Sequence, residues 1–266
     1  MPKAQLILLV AGVVSASAWL GAPLSAQTTN TGAKTIPRTT DGRPNLQGIW
    51  QARNAAAADL EDHAASHRMR PGRSVVEGGA IPYQPWAAAK KRENFANRDT
   101  ADPLAKCYMP GVPRIMYMEF PFQIFQTRDH VAMTFEWSQV FRLIYTNGSK
   151  SPEGIDFWMG DSRGRWEGDT LVVTVTNHND KTWFDMAGNF HSADMRVTER
   201  YTLLDADTLQ YEATVDDPKV FTRPWTMRMP LYKHKDMDRL LEYQCNAEME
   251  EANGAFERDS RTWYPK

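Results

Sequence analysis

The sequence holds no Gly-x-Ser-x-Gly elbow, P-loop, Cys-x-x-Cys-His haem site or EF-hand loop. The usual signatures of a serine nucleophile, a phosphate cradle, covalent haem and a calcium hand are therefore missing. Strand patterns do not alternate with helical ones, which excludes a dinucleotide-binding βαβ sheet. Basic charge is not in excess: 31 Lys and Arg stand against 33 Asp and Glu, a balance far from the footprint of a nucleic-acid binder. No repeat of fixed period is visible. These absences predict a protein without a cofactor and without a nucleic-acid partner.

Long apolar runs are also missing. The longest, Leu6–Trp19, falls short of the roughly 20 residues that span a bilayer. With Lys3 before it and Leu24-Ser25-Ala26 after it, Met1–Ala26 reads as a signal peptide cut before Gln27. This predicts a periplasmic or secreted protein with no stable membrane insertion after cleavage, and no cysteine near the cut to carry a lipid. Without Lys3 the charge balance becomes 30 against 33, so the mature chain is mildly acidic. Oligomeric state is not legible.

Only two cysteines occur, Cys107 and Cys245. In an oxidising compartment they favour a disulfide between the segment before the main strands and the last predicted strand. Closing so long a loop is worth on the order of 4 to 5 kcal/mol in the chain-entropy model. The other reading is a nucleophilic thiol, for which no histidine lies close in sequence to either cysteine.

What remains is organised around Trp158–Asn177, which combines a glycine-and-charge turn at Gly160–Gly164, a tighter turn at Glu167-Gly168-Asp169 and a clean strand, Thr170–Thr176. Period-two alternation also predicts strands at Phe122–Thr127, Val131–Trp137, Val140–Thr146, Ile155–Met159, Met195–Leu204, Leu209–Asp216, Phe221–Tyr232 and Arg239–Cys245. The predicted fold is mainly β, an antiparallel up-and-down sheet closing into a lipocalin-like barrel, because closure removes exposed edges. Residues 27–45 predict a flexible leader, and 46–266 a single barrel-like domain with a helical and loop insertion at 51–114. Within that arm, Ala55–His67 predicts a helix with His63 and His67 one turn apart, as helical metal ligands often are. Ala64 breaks the His-Glu-x-x-His pattern and no third ligand is evident, so no metal is expected. Pro85–Asn97 predicts a helix with proline in its first turn, and Asp102–Arg114 an extended, turn-rich segment across the barrel.

Charges on an apolar face mark the candidate site. Glu199 interrupts the alternating set Met195, Val197, Tyr201, Leu203, and Arg223 interrupts Phe221, Trp225, Met227, Met229. If both faces point inward, the two charges must find partners, and pairing with each other is one solution. Glu199 is then either a general acid or base, or half of an ion pair that specifies the fold or positions Arg223. The long loop His178–Asp194 adds His178, Trp183, Asp185 and His191, suited to acid/base work, substrate contact or a structured rim; a divalent metal is a further reading, though the spacing matches no specific zinc signature. Asp161 and Arg163 either stabilise the glycine turn or face a pocket mouth. The catalytic candidates are Glu199, His178, His191 and Arg223; the substrate-binding candidates are Trp183, Asp185, Asp161, Arg163, Tyr201 and Trp225.

The motifs Asp102–Arg114, Trp158–Val173, Asn177–Ser192 with its Asn-Asp-Lys-Thr-Trp-Phe-Asp core, and Val197–Leu204 together resemble a family of uncharacterised secreted bacterial proteins. The resemblance covers most of Gly79–Cys245 and implies export, but no activity. Gly48-Ile49-Trp50 resembles the entry motif of lipocalin-like (calycin) barrels, whose tryptophan closes the base; an ordinary first strand reads the same way. Two functions are expected from this set. One is an exported enzyme acting on a small apolar or aromatic molecule by cofactor-free acid/base chemistry, as a lyase, isomerase or hydrolase. The other is a periplasmic binding or carrier barrel without turnover.

Overall fold

A computed structural model describes residues 35–253. Nine strands close into a barrel and pair in chain order: β1 (Gly48–Ala52), β2 (Phe122–Gln126), β3 (His130–Phe135), β4 (Phe141–Tyr145), β5 (Asp161–Glu167), β6 (Thr170–Thr176), β7 (Arg196–Leu203), β8 (Thr208–Asp216) and β9 (Trp225–Lys233). β9 completes the ring antiparallel to β1, with Ala52 opposite Leu231. The predicted signal peptide, Met1–Ala26, lies outside the described residues.

A ring of purely antiparallel pairs needs an even number of strands, because direction reverses at every step. Nine strands therefore require a parallel seam. It falls between β4 and β5, with Ile144 beside Ser162, and corrects the wholly antiparallel expectation. Parallel neighbours need a long crossover, which residues 146–160 supply.

This seam explains where the sequence reading went astray. The segment predicted as a turn, Gly160–Gly164, forms most of β5, whereas Ile155–Met159, predicted as a strand, makes only an isolated bridge from Phe157 to His178. Gly164 is small because of packing: a Cβ there would lie 2.8 Å from Ile144 Cγ2. Gly168, with φ of +58°, does turn the chain between β5 and β6.

Residues directly opposed across a ladder share a face, so the register defines interior layers. Val175, Val197, Val215 and Trp225 form one, Val173, Glu199, Ala213 and Met227 the next, and Leu171, Tyr201, Tyr211 and Met229 a third. All are buried. At β1, Trp50 is fully buried and donates its indole N–H to Leu46 O at 2.8 Å.

Around the barrel, α1 (Pro85–Ala96) matches its predicted helix, followed by a short α2 (Arg98–Ala101) and a 3₁₀ turn at Pro103–Lys106. Ala55–His67 is not helical. Its Leu60 N–H donates to Asp185 instead of continuing a helix, and the His63 ring bonds Glu61 O and Arg70 O. In the part of the predicted leader that is described, 35–45, Arg38 holds Asp169 through two bonds of 2.8 and 2.7 Å. Arg239–Cys245 is not a strand either, because β9 has already closed on β1 and no ladder edge is left for it. The chain runs along the Trp137 turn, where Ser138 N donates to Tyr243 O at 2.7 Å, and enters α3 (Cys245–Ala252). The Cys107–Cys245 disulfide forms, with Cα atoms 5.5 Å apart, and ties the arm to the start of α3. Among the described residues no helix is long and apolar enough to cross a membrane.

Candidate binding cavity

The inward face of β7 carries Glu199, fully buried, but its partner is not Arg223. Arg142, inward on β4 two residues before Ile144, grips both carboxylate oxygens, with Nη1 at 3.0 Å from Oε1 and Nη2 on Oε2. Oε1 also accepts from the Tyr201 hydroxyl at 3.0 Å and the Tyr211 hydroxyl at 2.8 Å. Ser162 Oγ accepts from Arg142 Nε at 3.0 Å. Burial works against the guanidinium charge, but Glu199 and the neighbouring phenols outweigh it and leave the Arg142 pKa above its ordinary value. Burial, followed by Glu199, lifts both phenols well above theirs, so they stay protonated donors. Neither charge is left without a partner, the condition for tolerating such a pair in a core.

Arg223 lies outside β9 and exposed, bonded only to Pro224 O at 3.3 Å. Pro224 has no N–H to give a ladder, so the strand starts after it, at Trp225. The expected Glu199–Arg223 pair is replaced by Glu199–Arg142.

The long loop docks the arm onto the barrel. Met186 N donates to Ala57 O at 3.0 Å, the Tyr117 hydroxyl to Phe184 O at 2.9 Å, and Asn94 Nδ2 to Gly188 O at 3.1 Å. Asp185 is wholly buried; it accepts from Leu60 N at 3.0 Å and from Asn189 Nδ2 at 2.6 Å. Burial and then nearby Asp59 raise its carboxyl to about 7.

His178 is buried, its ring centroid 5.8 Å from that of His191. Burial, reinforced by His191, lowers its pKa to about 3, so the ring is neutral. His191 Nδ1 donates to Ser192 O at 2.9 Å, which leaves Nε2 of the neutral ring to accept from Thr182 Oγ1 at 2.7 Å. Burial lowers its pKa too. No hydrogen bond joins either histidine to Glu199 or Arg223, so the structure does not assemble the four catalytic candidates.

The remaining candidates also have structural surroundings. Asp161 and Arg163, two apart on β5, form a bidentate pair at 2.6 and 2.8 Å, and the guanidinium lies 4.3 Å from the Tyr145 ring centroid. Trp225 is buried against Phe184 and Phe221, each 5.5 Å away between ring centroids. Trp183 is half-buried and bridges to Phe190 within the loop.

A cavity of about 530 Å³ lies outside the strand ring, within the roughly 300–1,000 Å³ typical of small-molecule sites. Its wall combines the arm, the Trp137 turn and the start of α3, with Cys245 and Leu104 beside the disulfide. Arg68, Arg70 and Arg98 supply positive charge, while Arg114 at its buried wall is held by Asp102 through two bonds of 2.8 Å. Phe120, Trp137 and Tyr243 form an aromatic cluster with ring centroids 4.6 to 5.3 Å apart. Arg98 Nε, Arg114 Nε and Trp137 Nε1 are buried with no hydrogen-bond partner among the described residues. A larger depression of about 940 Å³, along Gln51–Asn54 and Arg70–Val75, is shallower and more open.

None of these cavity residues is among the catalytic or substrate-binding candidates; Cys245 is expected from the sequence only as a disulfide partner. Their only signal was a scatter of arginines along the arm, with no period to show that they converge with Trp137 and Tyr243. No family model, curated protein or solved structure matches the chain.

Proposed function

We propose that this is an exported small-molecule binding protein that holds its ligand, without turnover, in the cavity between the arm, the Trp137 turn and α3. The carrying observation is where open space and unmet polar groups coincide. Inside the strand ring, the sequence-predicted acid/base residue Glu199 is sealed by Arg142, Tyr201 and Tyr211. The cavity is instead walled by aromatic and methionine side chains and by Arg98, Arg114 and Trp137, each with one buried N–H that lacks an acceptor, a mixture of apolar and polar groups suited to a small ligand. Export is supported by the Met1–Ala26 pattern and by the disulfide, a bond favoured in oxidising compartments.

An acid/base enzyme is the second reading, and one observation favours it. Asp185, raised to about 7, immediately precedes the cavity-lining Met186, and a general base works best near the operating pH. Its burial and its bonds to Leu60 and Asn189 suit a structural carboxyl better.

Native mass spectrometry of the periplasmic protein tests the first reading. The expected result is a mature chain beginning at Gln27 with one small adduct, whose removal lowers the melting temperature and whose return restores it. A ligand-free chain, indifferent in melting temperature to its own periplasmic extract, would refute binding. Conversion of the adduct to a new product by wild type, lost in Asp185→Asn, would move the assignment to the enzyme.

A further inference from the structure

We infer that the cavity takes an aromatic carboxylate, an inference that rests on the small-molecule binding proposed above and names its ligand class. Six buried side-chain N atoms lack a partner among the described residues, and three of them, Arg98 Nε, Arg114 Nε and Trp137 Nε1, belong to the wall of this cavity. All three carry N–H donors, and no unpartnered oxygen accompanies them. The missing partner is therefore an acceptor. A buried donor without one is costly; these three atoms have almost no accessible surface as they stand, so an entering oxygen relieves that cost by turning the side chains toward it.

Charge makes the acceptor anionic. Four guanidiniums line the cavity, Arg68, Arg70, Arg98 and Arg114, against three carboxylates, Asp99, Asp102 and Glu119, an excess of one positive charge. Asp102 is fully engaged by Arg114, and Asp99 lies a loose 3.8 Å from Arg68. A carboxylate or sulfonate therefore meets a net attraction from the wall.

Shape makes the ligand flat. The Phe120, Trp137 and Tyr243 rings stand together, the Trp137 and Tyr243 planes inclined by 30°. Met118, Met186 and Met249 complete an adaptable apolar wall. Inorganic phosphate would answer the donors but leave the rings bare. A neutral arene would cover the rings but leave the donors without acceptors.

The experiment uses the disulfide-intact mature protein and 8-anilinonaphthalene-1-sulfonate, an anionic aromatic fluorophore, displaced by naphthalene-1-carboxylate or its neutral analogue naphthalene-1-methanol. The dye is expected to saturate at one per chain, and the acid to compete at least about tenfold better than the alcohol, as expected when a donor-lined site is offered a charged acceptor. Trp137→Phe keeps the ring without the donor, and Arg98→Gln changes a half-exposed side chain on α2. Each should weaken the acid more than the alcohol, so that the preference for the acid falls several-fold.

Equal competition by acid and alcohol, with Nile red also saturating at one per chain, would overturn the aromatic carboxylate and leave the binding function standing. An acid preference untouched by both variants would place the anion elsewhere and overturn this site. Failure of both dyes to saturate, together with a ligand-free native protein, would overturn the binding function itself.

Discussion

Two buried polar clusters distinguish structure from site. In the barrel, both Glu199 oxygens are engaged and the Arg142 guanidinium meets Glu199, Ser162 and Tyr201. At the cavity, Arg114 is paired through both terminal nitrogens yet its Nε has no partner, and Trp137 and Arg98 repeat the pattern. Both regions carry arginine, carboxylate and aromatic groups, so composition does not separate them. Satisfaction of hydrogen bonds does. A closed network fixes a core, whereas an incomplete one beside open space calls for a partner from outside.

The strongest way to break this comparison is to unpair the core. Glu199→Met or Arg142→Met alone leaves one buried charge, and should cost about 3–5 kcal/mol of unfolding free energy in urea titration. The double variant should recover most of that loss, because two apolar side chains need no partner. Equal instability in single and double variants would show that the pair contributes through packing rather than charge compensation.

The loop offers a second test, through pH. Asp185 has a folded pKa near 7 against an ordinary 3.8, so between these values the native state holds more protons than the unfolded chain. Its contribution is therefore full at low pH and falls as pH rises through 7, by no more than about 4 kcal/mol. His178 is opposite in sign: lowered from 6.5 to about 3, it makes the native state the poorer proton binder, so stability rises with pH across that window. Between about pH 4 and 6.5 the two slopes oppose each other. Asp185→Asn should unmask a rising profile and His178→Gln a falling one, measured by denaturant unfolding at three pH values. Parallel profiles in all three proteins would refute this assignment of buried titrating groups.

Removing the disulfide acts on the cavity side. Cys107→Ser with Cys245→Ser should cost about 2–5 kcal/mol, the upper end being the chain-entropy value for so long a loop. It should also weaken dye binding, since Cys245 and Leu104 stand in the cavity wall. Lower stability with unchanged binding would separate the disulfide from the site.

Period two made much of the barrel legible. β6 ends where Thr170–Thr176 predicts, and Glu199 stood out because its strand-mates are apolar. The same alternation marks Arg142 between Val140 and Ile144, whereas Arg223 stands out as a partner for Glu199 only when Phe221–Tyr232 is taken as one strand through Pro224. β5 is hidden by Gly160 just before it and Gly164 within it, residues that favour turns locally but here leave room for packed side chains, Val175 and His178 at the first and Ile144 at the second. The cavity was illegible for a different reason. Arg68, Arg98, Arg114, Trp137 and Tyr243 sit on separate irregular segments, brought together by loop docking, barrel closure and the disulfide rather than by any local pattern.

The smallest expected effect sharpens the contrast most. Tyr211→Phe removes a donor that Glu199 uses at 2.8 Å, and should cost about 1.5–3 kcal/mol, the range for a hydrogen bond to a charged group. Trp137→Phe removes a donor that nothing accepts from among the described residues. Lost packing destabilises it, while removal of the orphaned N–H relieves a cost of about 1–3 kcal/mol. The two terms oppose, so in ligand-free protein the net change should stay within about 1 kcal/mol, read by urea denaturation. Ligand-saturated wild type should then gain more stability than the ligand-saturated variant, because only the wild-type indole can donate to the ligand. A large loss in the ligand-free Trp137→Phe protein would mean that the indole already has a partner within the fold.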